Sequence, residues 1–169
     1  VLLRRLADLR LGDLVLVASH THSGPGALSE VPLWRPAMGP YDPALFAGTA
    51  ARIEAVVRAA HADLRPARLR GGRRTTPALA RLVRNRARPE GRVDPSIGVL
   101  RIDDPDGRPR GVVVHFAAHP TILPSSSMQV SADWPGALCA ALEREIPGAT
   151  ALFWNGAMGI LEMTNFSHG

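Results

Sequence analysis

The chain opens on an amphipathic pattern. Leu2, Leu3, Leu6 and Leu9 recur at helical spacing while Arg4, Arg5 and Arg10 fall elsewhere, which predicts a first helix ending at Gly12-Asp13. Leu14 to Ala18 is then a continuous apolar run, the pattern of a short strand buried on both faces. It runs directly into Ser19-His20-Thr21-His22-Ser23-Gly24-Pro25-Gly26. From there to Tyr41 the composition is rich in Gly and Pro, which predicts a long irregular loop of the kind that carries function. Asp42-Pro43 is a helix start, a capping carboxylate followed by Pro at the first helical position. Leu45, Phe46, Thr49, Ile53, Val56, Val57 and Ala60 continue that helix to about His61.

Downstream, Arg65 to Thr75 reads as an irregular strand, Pro77 to Val83 as a short helix and Asn85 to Pro95 as a loop. Ile97 to Ile102 and Val112 to Phe116 are β-rich runs on either side of Pro105-Asp106-Gly107, whose turn chemistry predicts an antiparallel hairpin. A Gly/Pro/Ser loop spans Ala118 to Val130. Ser131 or Asp133 then caps a helix running through Leu138 and Leu142 to about Glu145, stopped by Pro147-Gly148. Ala149 to Trp154 reads as a buried strand ending at Asn155-Gly156. There is no internal repeat. Strands alternating with helices, plus one hairpin, predict the α/β class: a layered sandwich with a mixed β-sheet flanked by helices. Its ligand site is expected beyond the strand ends.

Length and composition narrow this reading. With 169 residues, 46% hydrophobic and 21% charged, the chain is one domain or part of one, and disordered, collagen-like and coiled-coil classes are excluded. No apolar run approaches the roughly 18 residues of a membrane span. Cys139 is the only cysteine, so an internal disulfide and a Cys-rich zinc cluster are both excluded, and any metal must be held by His, carboxylate or Tyr. All 20 basic residues are Arg, against 15 acidic ones, a skew that GC-rich coding produces and that discounts the +5 charge as a sign of nucleic-acid binding. Arg65 to Arg92 holds ten arginines but no aromatic stacking platform, so a solvated face is expected there and no nucleic-acid partner. A chain that begins at Val1, inside a helical pattern, reads as an excerpt or a processed product.

The histidines are the candidate chemistry. His20-Thr21-His22 leaves an apolar run and enters a Gly/Pro loop, where two imidazoles can meet a ligand. Spacing alone leaves open whether they bind metal, act in catalysis or are hydrogen-bonded loop residues. His115 and His119 would lie roughly 13 Å apart along an extended strand, too far to share one ion. His119, before Pro120 at a strand end, is the counterpart of His20, whereas His115 within the β-run is read as structural. Trp34 and Trp154 are read as core residues rather than as contacts for acyl chains.

Ala18-Ser19-His20-Thr21-His22-Ser23-Gly24-Pro25-Gly26 resembles the signature of the neutral (alkaline, non-lysosomal) ceramidase family. The resemblance continues in order through Asn85-Arg86, Val93-Asp94-Pro95, the Gly98 to Asp103 run, Phe116-Ala117-Ala118-His119-Pro120-Thr121 and Ser131-Ala132-Asp133 with Gly136. It implies a zinc-dependent amidohydrolase that cleaves the N-acyl bond of ceramide-like lipids to a sphingoid base and a fatty acid. By the same resemblance His20 and His119 are zinc ligands, and His22 stabilises the oxyanion or relays a proton. Arg86 contacts the acyl product or the polar head. A secreted or membrane-facing location and contact with a membrane surface are also implied.

The family's remaining ligands, a Glu and a Tyr, have no counterpart here. Tyr41 and Glu162 do not occupy those motif positions, and Asp133 and His168 match no ligand position. After Asn155-Gly156-Ala157-Met158-Gly159, Ile160 stands where the family has Asp, and Glu162 where it has its proposed nucleophilic Ser. The expected organisation is therefore a partial ceramidase-like domain over 1–159 and a tail over 160–169 outside the resemblance, with an incomplete catalytic set in the isolated chain. Two other readings compete. One is a different His-x-His metal-dependent hydrolase, and the other is a non-catalytic, Arg-rich remnant that binds anions or lipids.

Overall fold

The computed structural model describes residues 2–12 and 14–164. They fall into two compact units, one formed by the chain up to Leu16 with Pro25–Arg65, the other by Val17–Gly24 with the chain from Pro66 onward.

In the first unit the opening leucines make one helical turn, α1 (Leu2–Arg5), and a 3-10 turn over Ala7–Leu9 that Arg10 ends in the left-handed region at φ 50°. A further short helix, α2 (Arg35–Met38), interrupts the Gly/Pro loop. Helix α3 (Pro43–Ala62) starts where its signals stand. The Asp42 carboxylate accepts from the N–H groups of Ala44 (2.8 Å) and Leu45 (3.0 Å), and Pro43 presets the first helical φ. Arg58 pairs with Asp8 at 2.7 Å and Glu54 at 3.0 Å, and Arg5 reaches Glu54 at 3.1 Å. These solvent-screened pairs orient α1 against α3 more than they stabilise it. Leu6 and Ala50 are buried.

The apolar run Leu14 to Ala18 is not a strand. It pairs with no described residue, and Val15, Leu16 and Val17 are 74%, 59% and 42% exposed. An apolar run becomes a strand only when a neighbouring backbone takes up its N–H and C=O groups.

The second unit is built on a four-stranded mixed sheet. Its strands are β1 (Arg68–Arg74), β3 (Ile97–Asp103), β4 (Pro109–Phe116) and β5 (Thr150–Asn155), in the order β1-β3-β4-β5. The predicted hairpin is present: β3 and β4 are antiparallel from Gly98↔His115 to Ile102↔Gly111, with a register shift at Asp103. Gly107 closes the turn at φ 89°, a conformation that favours glycine, and donates to the Asp104 carbonyl at 2.9 Å. Arginine-rich β1 pairs antiparallel with β3 and is exposed along its whole length.

Strand β5 runs parallel to β4, the two connected through helix α5 (Asp133–Glu145). That crossover gives the sheet its α/β character. Alternation along β4 and β5 turns Val112, Val114, Ala151 and Phe153 toward Leu138, Cys139 and Leu142 of α5 and its surroundings. Burying each large apolar side chain there contributes about 1.5–3 kcal/mol. The other face carries Leu152 and Trp154, 53% and 44% exposed, so β5 is a half-buried strand rather than a wholly buried one. Trp154, and Trp34 at 52% exposure in the first unit, are therefore surface residues and not core.

A short helix, α4 (Pro77–Ala80), is capped by Thr76, whose hydroxyl accepts from the Leu79 N–H at 3.2 Å. Beyond it, β2 (Val83–Asn85) pairs antiparallel with β6 (Leu161–Met163) in a separate two-stranded sheet. Asn85, expected in a loop, is thus a strand residue. Val83 and Leu161 enter the same buried cluster as Phe116, Ala117, Ala118 and Phe153. No described helix is long and apolar enough to cross a membrane.

Candidate metal centre

His119 is the best-held of the candidate ligands. After β4 the chain passes through Ala117 and Ala118, both with no exposed surface, and reaches His119 at 5% exposure. Its backbone N–H donates to the Leu161 carbonyl at 2.8 Å, and Trp134 Nε1 donates to its carbonyl at 3.0 Å. Its ring Nδ1 lies 3.2 Å from the same Leu161 carbonyl. A carbonyl can only accept, so Nδ1 carries the proton and Nε2 presents a lone pair, the arrangement by which a protein fixes the tautomer of a metal-binding imidazole. Trp134 packs edge-on against Phe153 with ring centroids 4.7 Å apart, which anchors this clamp in the core.

His20 and His22 reach the same place from the other motif. Their loop is stitched to the segments around it: Asn155 Nδ2 donates to the Ser19 carbonyl at 2.9 Å, and the Thr21 hydroxyl donates to the Ser131 carbonyl at 2.8 Å. The Ser131 N–H donates to the Ser23 carbonyl at 2.9 Å. His20 adopts φ 66°, a left-handed conformation unfavourable for a side-chain-bearing residue, which the surrounding hydrogen bonds hold in place. The ring centroids of His20, His22 and His119 lie 5.1, 5.0 and 5.5 Å apart pairwise, and one ligand atom from each falls within 4.8 Å of the others.

The two loop histidines are exposed, yet both have proton affinities below the ordinary value. For His20 the causes are desolvation and then the His119 ring; for His22 they are desolvation and then His20, His119 and Arg86, opposed by Asp133. Both shifts favour the neutral imidazole, the form whose lone pair binds a cation or accepts a proton.

Arg86 lies at the end of β2, its N–H donating to the Ile160 carbonyl at 3.0 Å, and it lines a cleft of about 500 Å³ together with His22. The cleft is hydroxyl-rich, with Ser23, Thr121 and Ser125 to Ser127, and also includes Glu162. Sequence reasoning did not single out these serines, although the Ser-rich loop was their signal. The buried Asn85 organises the loop that carries Arg86: its Oδ1 accepts from Ala87 N (3.1 Å) and Arg88 N (2.9 Å), and its Nδ2 donates to the Arg92 carbonyl (3.3 Å).

Asp133 is neither the cap of α5 nor near the three imidazoles as a ligand. The residue preceding α5 is Ala132, whose side chain caps nothing, while Ser131, the other expected cap, stands one residue earlier with its Oγ accepting from the Asp133 N–H, the first of the helix, at 3.0 Å. Instead Asp133 Oδ2 accepts from the N–H groups of Ile122 (3.0 Å) and Leu123 (3.1 Å), and Oδ1 from Trp134 N (2.7 Å), which fixes the start of the serine loop. His115 remains in β4 and is not among the convergent rings. Tyr41 belongs to the first unit, and His168 lies outside the described residues.

Comparison with known proteins places this arrangement in a family. The family model described as neutral/alkaline non-lysosomal ceramidase, N-terminal, matches residues 9–165. The chain is 32% identical over 166 residues to a neutral ceramidase of Mycobacterium tuberculosis, covering 89% of this chain and 26% of that protein. It is 27% identical to the neutral ceramidase of Pseudomonas aeruginosa, covering 73% of this chain and 20% of that one. The crystal structure of neutral ceramidase from P. aeruginosa superposes with a TM-score of 0.85 at 26% identity, over 99% of this chain and 29% of the other. A ceramidase complexed with C2 gives a TM-score of 0.82, also at 26% identity, over 95% of this chain and 28% of that one. The chain thus spans about a quarter of the length of these proteins. With the family model matching most of its length and the fold shared, the chain belongs to the neutral/alkaline non-lysosomal ceramidase family.

Proposed function

We propose that this chain carries part of the centre of a zinc-dependent amidohydrolase that cleaves the N-acyl bond of ceramide-like lipids, giving a sphingoid base and a fatty acid. The observation that carries the reading is the convergence of His20, His22 and His119 from two distant motifs. The donor set fits the ion. Zinc accepts imidazole nitrogens at about 2.0–2.1 Å, which sets neighbouring ligand atoms about 3.4 Å apart, and small side-chain rotations from the observed spacing of up to 4.8 Å reach that distance. The Nδ1–H of His119 is already committed to a carbonyl, and desolvation favours the neutral form of both loop imidazoles.

In this reading His20 and His119 hold the zinc. The chemistry supplied by zinc when bound is Lewis acidity toward a water and toward an amide carbonyl. Water adds to the carbonyl carbon, the C–N bond breaks, and the departing nitrogen takes a proton. His22, neutral and lining the cleft, accepts a proton at a ring nitrogen and returns it to that amine, or donates to the developing oxyanion. Arg86 offers its guanidinium N–H groups to the carboxylate product or the polar head.

Zinc titration by calorimetry tests the assignment. His20→Ala and His119→Ala are each expected to weaken zinc at least about 100-fold, with a smaller loss for His22→Ala. Unchanged affinity in His20→Ala would sink it.

A further inference from the structure

Glu162 stands in the cleft without a role in that chemistry. Pairing of β2 with β6 sets Arg84 opposite Glu162, and a parallel bridge sets His119 opposite Glu162 on its other side. Register partners point to the same face of a sheet, so Arg84, Glu162 and His119 form one row across three backbones. Arg84 Nε donates to Oε1 of Glu162 at 2.7 Å, and Nη2 lies 2.7 Å from the same oxygen. That contact fixes the carboxylate while occupying only one of its oxygens, and the Glu162 side chain keeps 20% exposure where it lines the cleft. The same cleft presents the Arg86 guanidinium, which only donates, and the hydroxyls of Ser125 to Ser127.

A hydroxyl both donates and accepts, so a carboxylate and a guanidinium lining one cleft form a matched pair for a neutral, hydroxylated group. An aliphatic segment would desolvate the Arg86 guanidinium and the second oxygen of Glu162, the one Arg84 does not contact, without giving either a partner. We propose that Glu162 is a specificity-determining residue: its carboxylate accepts a hydrogen bond from a hydroxyl on the amine portion of the amide, with Arg86 donating to the same portion. This deepens, and rests on, the amide-hydrolase reading by assigning the amine side of the substrate to the polar cleft and requiring that side to carry hydroxyls.

The test is a binding comparison in the metal-free chain, so it does not depend on turnover. N-acetyl-2-amino-1,3-propanediol and N-isopropylacetamide share one skeleton and differ only in two hydroxyls. Titrated by NMR and followed at the amides of Ser125 to Ser127, the diol is expected to bind at least about tenfold tighter, the worth of one charge-assisted hydrogen bond. Glu162→Ala should abolish that preference and Glu162→Gln, which keeps the shape and one acceptor oxygen, should reduce it. Circular dichroism and zinc affinity should stay at wild-type values in both. Equal binding of the two probes to the wild-type chain overturns the proposal, as does no binding of the diol or a preference that survives Glu162→Ala. Equal weakening of both probes in both variants also overturns it, because Glu162 would then be shaping the cleft rather than reading a hydroxyl. Failure of the zinc assignment is read separately, in His20→Ala, so the two ideas can fall independently.

Discussion

Asn85→Ala tests whether one buried amide holds the loop that delivers Arg86. The side chain is 6% exposed and makes three hydrogen bonds, accepting from Ala87 N and Arg88 N and donating to the Arg92 carbonyl. Residues 87, 88 and 92 are themselves exposed, so water can take over their freed groups, and each bond is charged at its net value of about 1 kcal/mol rather than the larger penalty of a sealed polar group. The sum is about 2–3 kcal/mol, which in a chain of this size lowers the melting temperature by about 5–10 °C. Thermal denaturation reads that shift, and amide hydrogen exchange at Ala87 and Arg88 reads its location. Asn85→Asp keeps both acceptor contacts and loses only the donor, so it should retain protection at those two amides even though it buries a charge. If Asn85→Ala costs under about 0.5 kcal/mol, the range of an ordinary surface substitution, and leaves exchange unchanged, the loop is held by something else and the reasoning fails.

Three further outcomes follow from neighbouring contacts. A Cβ at Gly91 would collide with the Asn85 amide and lie 2.8 Å from the Arg88 carbonyl, so Gly91→Ala should destabilise by about 1–3 kcal/mol and loosen the same loop amides in hydrogen exchange. Trp134→Phe keeps a ring against Phe153 but removes the N–H that holds the His119 carbonyl; a loss of about 1–2 kcal/mol in urea denaturation and roughly tenfold weaker zinc binding are expected, and an unchanged zinc affinity would show the clamp does not orient His119. The Asp94 carboxyl titrates below its ordinary value, first because the Ser96 hydroxyl donates to it at 2.5 Å and also because Ser96 N and Arg73 do. A lowered folded-state value stabilises above the unfolded carboxylate range and is lost as pH falls through the folded value, so Asp94→Asn should flatten the decline in stability below about pH 4; superimposable acid limbs would contradict this.

What could be read from the sequence was what local chemistry decides. Asp42-Pro43 starts α3 whatever lies around it, and Pro105-Asp106-Gly107 turns the chain so that β3 must meet β4. His20 and His119 stood out because each sits where an apolar run gives way to a Gly/Pro-containing loop, although the run before His20 proved to be largely exposed, with no strand partner among the described residues. Nothing local marks Val83–Asn85 and Leu161–Met163 as partners. Each strand has three residues, and their pairing is held by burial of Val83 and Leu161 beside Phe116 and Phe153, a condition met only once the larger sheet exists. Asp133 escaped for the same reason: a carboxylate ahead of a helix reads as a cap, and only the folded chain shows the N–H groups of Ile122 and Leu123 arriving to claim it. The chemistry is divided along this line. The imidazoles come from motifs, whereas the cleft beside them, with Arg86 on one strand end and Glu162 on its partner, exists because two short, distant segments meet over a shared core. Because the Leu161 carbonyl also holds the backbone and ring of His119, substitutions in that core are expected to loosen the cleft and the imidazole together, read as weaker zinc binding alongside lost amide protection at Ala87 and Arg88.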